Sequence, residues 1–292
     1  MRLRYIITIT PLLLLLLFMG QGRAMAQTKQ LTTDSITICQ LLSEGSRQPV
    51  GTCLPLFYAR KFLGRSYVAH TLEGNDPEQL VVNTRQLDCT TLVENVVALT
   101  YCTQQRLLTY RAFKHALIDM RYRGGILKGY TSRLHYFTDW IVENSRSGLV
   151  TEIQQPQTVF SAIQKVSVNY MSTHPQSDEA LKKHPEFVSR IRETEQNLSG
   201  MQFRYIPKSA VGNSKLLRQA VNDGDIIAIT CNKPGLDIAH LGFAVWKNDG
   251  LHLLNASQLH HKVVDEPMTL YRYLQKHPSH TGIRIIRINN KQ

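Results

Sequence analysis

Leu87-Asp88-Cys89-Thr90-Thr91-Leu92-Val93-Glu94-Asn95-Val96-Val97-Ala98-Leu99-Thr100 is the stretch on which the fold turns. Leu92, Val93, Val96, Val97 and Leu99 fall at helical spacing, which predicts a buried helix over Thr90 to Thr100 that starts at a cysteine. Leu92, Val93 and Val96 follow Cys89 by three, four and seven residues, so the thiol shares the face that packs inward. Unsatisfied N–H groups and the positive dipole end at a helix N-terminus favour a thiolate below its usual pKa of about 8.5, and they can donate to an oxyanion. An inert core thiol is the alternative for any single cysteine, so its neighbours decide.

A nucleophile needs a base. Ile238-Ala239-His240-Leu241-Gly242-Phe243-Ala244-Val245-Trp246 alternates as a strand, with Leu241, Phe243 and Val245 on one face and His240, Gly242 and Ala244 on the other. The small side chains beside His240 are expected to let a helix end approach. Lys247-Asn248-Asp249-Gly250 then turns the chain into Leu251-His252-Leu253-Leu254-Asn255-Ala256-Ser257. A two-residue loop at Asp249-Gly250 sets Ala244 opposite Asn255, and a four-residue loop over 247–250 sets Gly242 there. Both registers put Asn255 on the His240 face and His252 on the other, and the second leaves Asn255 a diagonal step of roughly 7–8 Å from His240. A three-residue loop would exchange the two residues. Cys89, His240 and Asn255 thus supply a nucleophile, a base and a ring-orienting amide.

Outside these stretches, a short helix is predicted around Pro55 to Phe62, a turn at Gly64-Arg65-Ser66-Tyr67, a loop at Glu73 to Pro77 and a strand at Leu80 to Asn83. Helical patterns over Tyr110 to Met120, Tyr136 to Val142 and Asp178 to Leu198 are broken by Gly124-Gly125, Gly129 and Gly148. The period then changes, and Asp225 to Thr230, Leu241 to Trp246, Leu251 to Asn255 and Ile283 to Ile288 read as strands. Helices followed by an antiparallel sheet give an α+β class, with a helical insertion over about 103–200. No internal repeat is visible.

The 292 residues, 42% of them hydrophobic, suffice for one large domain. Arg2 and Arg4, the apolar run through Leu12 to Met19 and Ala24-Met25-Ala26 form a signal peptide over 1–26, leaving a mature domain of 27–292 in the periplasm. No cysteine follows the cleavage point and no second apolar stretch reaches the ~20 residues of a membrane span, so neither a lipid anchor nor membrane insertion after cleavage is expected. Removal of Arg2, Arg4 and Arg23 lowers the net charge from +12 to +9. A basic exported protein points to an anionic partner; in that compartment wall polymers and peptides fit and nucleic acid does not. The alternative is a basic surface with no specific partner. Five cysteines, Cys39, Cys53, Cys89, Cys102 and Cys231, leave at least one thiol unpaired. With no CxxC spacing, no metal is expected; no cofactor is expected either.

The motifs in order resemble a known family. Leu87-Asp88-Cys89-Thr90-Thr91-Leu92 resembles the Asp-Cys-Ser-Gly helix start of NlpC-type papain-like cell-wall cysteine hydrolases, with Thr90-Thr91 where Ser-Gly is usual. Asn222-Asp223-Gly224-Asp225, His240-Leu241-Gly242 and Leu254-Asn255-Ala256-Ser257 resemble its strands, with Asn255 at the family's variable third polar position. Gly64-Arg65-Ser66-Tyr67 resembles the upstream Gly-x-x-Tyr whose Tyr, here Tyr67, borders the nucleophile. Thr131-Ser132-Arg133-Leu134-His135-Tyr136-Phe137-Thr138-Asp139-Trp140 resembles the signature of a narrower branch, long held as a domain of unknown function, that contains N-acetylmuramoyl-L-alanine amidases.

The resemblance spans roughly 50 to 290 and implies a papain-like NlpC core acting as a monomer on muropeptides or peptidoglycan fragments. The reaction it implies is cleavage of the amide between N-acetylmuramic acid, in its 1,6-anhydro form, and L-Ala. Arg133, His135, Tyr136, Asp139 and Trp140 are then candidates for the sugar and stem peptide, with the packing of a helix face as their alternative reading. Asp88, which in the related peptidases holds a free peptide amine, meets no such amine if the amide to L-Ala is the target. The competing readings are a γ-D-glutamyl-diamino acid endopeptidase of the stem peptide and a non-catalytic wall-fragment-binding protein.

Overall fold

The computed structural model describes residues 33–290, so the signal peptide read over 1–26 lies outside the described residues. Ten α-helices among them run in chain order as α1 (33–46), α2 (Leu54–Lys61), α3 (Cys89–Gln104), α4 (Tyr110–Arg121), α5 (Phe137–Arg146), α6 (Tyr170–Thr173), α7 (Glu179–Lys183), α8 (Phe187–Leu198), α9 (Lys215–Ala220) and α10 (Leu270–Gln275). The strands are β1 (Ser66–Tyr67), β2 (Gln86–Leu87), β3 (Val150–Ile153), β4 (Ala162–Lys165), β5 (Gln202–Pro207), β6 (Ile226–Cys231), β7 (Ile238–Lys247), β8 (Gly250–Ser257), β9 (Lys262–Asp265) and β10 (His280–Ile288). They form one sheet in the order β2-β1-β9-β8-β7-β6-β10-β5-β4, with β3 beside the far end of β10. All pairings are antiparallel except β1 with β2.

The predicted helix forms and extends past Thr100, because Tyr101 to Gln104 carry no breaker and Cys102 adds a buried position. Its Leu92, Val93, Val96 and Val97 are fully buried in one core layer with Leu241, Phe243, Val245, Leu254 and Ala256, at roughly 1.5–3 kcal/mol for each large side chain removed from water. The body of the helix packs on the bulky face of β7, where more apolar area is covered, while its N-terminal end, where Asp88 acts on His240, comes near the small-residue face. There, Ala244 shares a second core layer with Ile227, Ile229, Leu251, Leu253 and Leu274, and a Cβ at Gly242 would come within 2.7 Å of Leu253.

The hairpin pairs Phe243 with Leu254, Trp246 with Leu251 and Lys247 with Gly250. That is the register of the four-residue loop tightened to a two-residue turn at Asn248-Asp249, and it continues to Gly242 opposite Asn255. Leu80 to Asn83, expected as a strand, make no ladder. Their backbone serves side chains instead: Val81 O accepts from Arg121 Nη1 at 2.7 Å. The stretch over 103–200 is not purely helical, since β3 and β4 lie within it, and the long pattern from Asp178 divides at Pro185 into α7 and α8. Among the described residues no helix is long and apolar enough to cross a membrane.

Candidate active site

Cys89 is the first residue of α3 and half-buried. Asp88 caps the helix: its Oδ1 accepts from Thr91 N at 2.7 Å and from Thr91 Oγ1 at 2.8 Å, while Thr91 Oγ1 accepts from Asp88 N at 2.9 Å. Thr91, a departure from the family's Ser-Gly, therefore completes a reciprocal cap. Burial pushes the Cys89 thiol up to about 12, reinforced by the Asp88 carboxylate, against the opposing pull of the Leu241 backbone N–H and the Thr90 hydroxyl. The sequence expectation of a lowered pKa is thus corrected. Loss of hydration outweighs the helix end, and the resting group at neutral pH is the thiol.

His240 follows an irregularity in the β6–β7 ladder, where Ile229 pairs with His240 but Thr230 with Ile238. The extra residue re-aims the strand at this point. His240 Nε2 donates to Asn255 Oδ1 at 2.9 Å, and Asn255 Nδ2 donates to Leu253 O at 3.4 Å. With Oδ1 as acceptor, the proton sits on Nε2 and the lone pair is left on Nδ1. Burial lowers the His240 pKa and the Asn255 bond resists that shift, so the ring is neutral at pH 7. Leu241, whose N–H favours the Cys89 thiolate, is the next residue along β7. His252 faces away, as both registers required: its ring nitrogens meet Glu266 O at 2.9 Å and Asp249 Oδ1 at 2.8 Å.

Tyr67, on β1, is half-buried, and its phenol is pushed up to about 12 by burial, then by Cys89 and Asp88. It reaches this position because Gly64 holds φ +80°, a turn that favours glycine, before the chain joins β9. Tyr273 on α10 is a second phenol within range of the sulfur, raised to about 12 by burial, Glu266 and Cys89. The sequence reading missed it. Its one local cue was Thr269, which caps α10 by accepting from Arg272 N at 3.4 Å, and nothing local says that α10 returns to Cys89.

The candidates between 131 and 140 are differently placed. Arg133 is buried, with Nη2 2.9 Å from Glu73 and Nε 3.5 Å from Glu78. His135 is half-buried, with Nε2 3.0 Å from Tyr130 O, and burial and Arg133 lower its pKa to about 3. Tyr136 is buried and donates to Glu195 Oε1 at 2.7 Å. Asp139 is buried in an ion pair with Arg123. Trp140, 1% exposed, stacks on Phe137 with centroids 4.9 Å apart. The expected sugar platform is therefore corrected for Tyr136 and Trp140, whose rings are covered by the core.

All five cysteines are free thiols. Among the described residues no group of three or more His, Cys, Asp or Glu is arranged to hold a metal ion.

A family model described as AmiA-like, N-acetylmuramoyl-L-alanine amidase-like, matches residues 58–283, and the chain belongs to this family. An N-acetylmuramoyl-L-alanine amidase from Bacteroides uniformis ATCC 8492 is 39% identical, with 84% of this chain and 99% of that one covered and a TM-score of 0.76. A Bacteroides fragilis protein proposed to be a xylanase is 40% identical, with 80% and 100% covered and a TM-score of 0.74. A Legionella pneumophila protein at 22% identity, with 89% and 96% covered and a TM-score of 0.67, shares the fold. No curated protein matches the chain. Family and neighbours make this an amidase-like protein with a peptidoglycan-related role.

Proposed function

We propose that the protein is an exported, periplasmic cysteine amidase with a papain-like NlpC core, cleaving the amide between N-acetylmuramic acid, in its 1,6-anhydro form, and L-Ala of the stem peptide. The observation that carries this reading is the His240 Nε2 to Asn255 Oδ1 bond of 2.9 Å, on the strand whose next N–H meets the helix-tip sulfur.

The residues act in sequence. Cys89 loses its proton to His240 Nδ1 as the sulfur bonds to the lactyl carbonyl carbon, and backbone N–H groups at the α3 tip, with Tyr67 O–H, receive the oxyanion. The C–N bond breaks as the oxyanion collapses, and the proton on His240 passes to the departing L-Ala amine. Water, deprotonated by His240, then cleaves the thioester, which frees the lactyl carboxylate and returns the thiol. Starting from thiol and neutral imidazole, proton transfer accompanies attack rather than preceding it. Asn255 keeps the reactive tautomer and does not itself titrate.

The xylanase proposed for the B. fragilis relative would need two carboxylates flanking a glycosidic bond. Beside Cys89, Asp88 is committed to Thr91 and Glu266 lies 3.2 Å from His260, so acyl transfer is the better supported chemistry. Incubation with an anhydro-disaccharide tetrapeptide and with the free tetrapeptide tests the reading. Release of intact disaccharide and intact peptide is expected. Cleavage of the free peptide after D-Glu would transfer the protein to the endopeptidases, and no cleavage of either to the wall-binding reading.

A further inference from the structure

Beyond His240 lies a run of packed rings that none of the steps above uses. Tyr273 lies against His240 with centroids 6.4 Å apart, His277 against Tyr273 at 4.6 Å, and His280 against His277 at 4.6 Å and Tyr273 at 6.0 Å. Tyr273 comes from α10, His277 from the turn after it, and His280 opens β10. The run thus joins His240 to the start of β10.

The far end of the run, at His280, is electrically one-sided. The charges acting on His280 are His277, His240, Lys233 and Lys208, all bases. Among the described residues neither lysine is in an ion pair. Two carboxylates act on His240 but are not among the groups acting on His280: Asp88, hydrogen-bonded to Thr91, and Glu266, 1% exposed, whose Oε2 meets His260 and whose Oε1 has no partner. Asp237, which acts on Cys231 at the same loop, is buried and accepts from Thr138 N at 3.1 Å. His280 itself is 7% exposed, and its Nδ1 is buried without any hydrogen-bond partner. A buried ring nitrogen left unpaired is costly, and the bases that converge on His280 favour an anion at that end of the run.

We propose that His277, His280, Lys208 and Lys233, with Tyr273 as their wall, form a carboxylate subsite beside His240 that takes a free carboxylate of the stem peptide. This rests on the amidase reading, which makes a carboxylate-bearing peptide the substrate. Burial and the surrounding bases hold His280 neutral, with its pKa lowered to about 4. An entering carboxylate opposes that field, so the ring gains a partner and its affinity for a proton rises.

The test begins with binding, which needs no turnover. The His277 and His280 ring signals of the intact protein are followed by NMR during titration with L-alanyl-D-glutamate, with the same dipeptide amidated at both carboxyls, and with inorganic phosphate. The free dipeptide is expected to shift both rings and raise the His280 titration midpoint, and the diamide to leave them unchanged. An equal response to the diamide, or no response to the free dipeptide, overturns the subsite. A double Lys208→Gln, Lys233→Gln variant, changed at half-buried and exposed positions, should raise KM about 10-fold on muropeptides with free stem carboxylates. On amidated stems KM should stay the same, with kcat within about two-fold on both. If phosphate shifts the rings equally well and the variant's KM rises equally on both stems, the site holds small anions and the substrate assignment falls. Failure of the wild type to release disaccharide, with dipeptide binding intact, would sink the amidase reading and leave the subsite standing.

Discussion

Two polar clusters lie in this fold, one at the tip of α3 and one behind residues 131–140, and they differ in whether the groups their hydrogen bonds leave over can be reached. At the tip, His240 uses one ring nitrogen on Asn255 and keeps the other, and both Cys89 and His240 are half-buried and reachable. Behind 131–140 the groups are matched inwardly: Arg133 with Glu73 and Glu78, Asp139 with Arg123, Tyr136 with Glu195. The first cluster has valence to offer a substrate. The second fastens the loop over 68–88 and the middle of the chain to α5, so residue types that look catalytic in the sequence serve there as structure. Charge type alone does not separate the two, nor does spare hydrogen-bonding capacity, since Arg133 Nε, Trp140 Nε1 and Glu195 Oε2 also lack hydrogen-bond partners; what separates them is that those atoms are buried while the tip is half-exposed.

That contrast is open to test. The largest effect is expected at Cys89→Ala: hydrolysis of an anhydro-muropeptide should fall by at least ~10³, about 4 kcal/mol of barrier, with the melting temperature nearly unchanged. A variant that still turns over at near-normal rate, with Cys231→Ala inactive, would put the nucleophile elsewhere. Arg133→Met should show the opposite profile. It strands Glu78, whose side chain is 3% exposed, and should cost roughly 3–5 kcal/mol of stability by denaturant titration. The molecules that remain folded should turn over within about 10-fold of wild type; full stability with lost activity would move Arg133 into the site.

Asn255→Ala comes next, at roughly 10- to 100-fold in kcat/KM and less than His240→Ala. Its pH profile carries the sharper reading. Burial depresses the His240 pKa and the Asn255 bond raises it, so the acid limb of kcat/KM should lie below the ordinary 6.5 in wild type and move lower still in the variant. An upward move would mean that Asn255 does not support the protonated ring. The smallest effect is expected at Tyr67→Phe, a loss of about 3- to 10-fold in kcat with little change in KM. Unchanged turnover at normal stability would reduce Tyr67 to packing.

Much of the tip cluster was readable from local pattern. Helical spacing after Cys89 and period-two alternation around His240 are short-range signals, and the parity of the hairpin separates Asn255 from His252 on pattern alone. Small residues beside His240 mark where the end of α3 comes near, but not the face on which its body packs, which buried area decides. Tyr273 could not be read at all: what brings it to Cys89 is the return of the chain after β9, a long-range matter with no local signature. The strands β3 and β4 were lost for a related reason. Each is four residues long, and β3 is defined by its pairing with β10 far along the chain. Trp140 and Tyr136 sit at helical spacing, which describes a covered face as well as a binding one.

The two-residue parallel ladder Ser66 with Gln86 and Tyr67 with Leu87 has a bearing on how such a protein can change over generations. It ties the phenol to the residue just before Asp88 and Cys89, and closes the chain over 68–85 into a loop whose two ends are clamped together. Insertions or exchanges inside that loop leave the spacing of Tyr67 and Cys89 untouched. The loop can therefore drift in length and sequence without moving the two groups relative to each other.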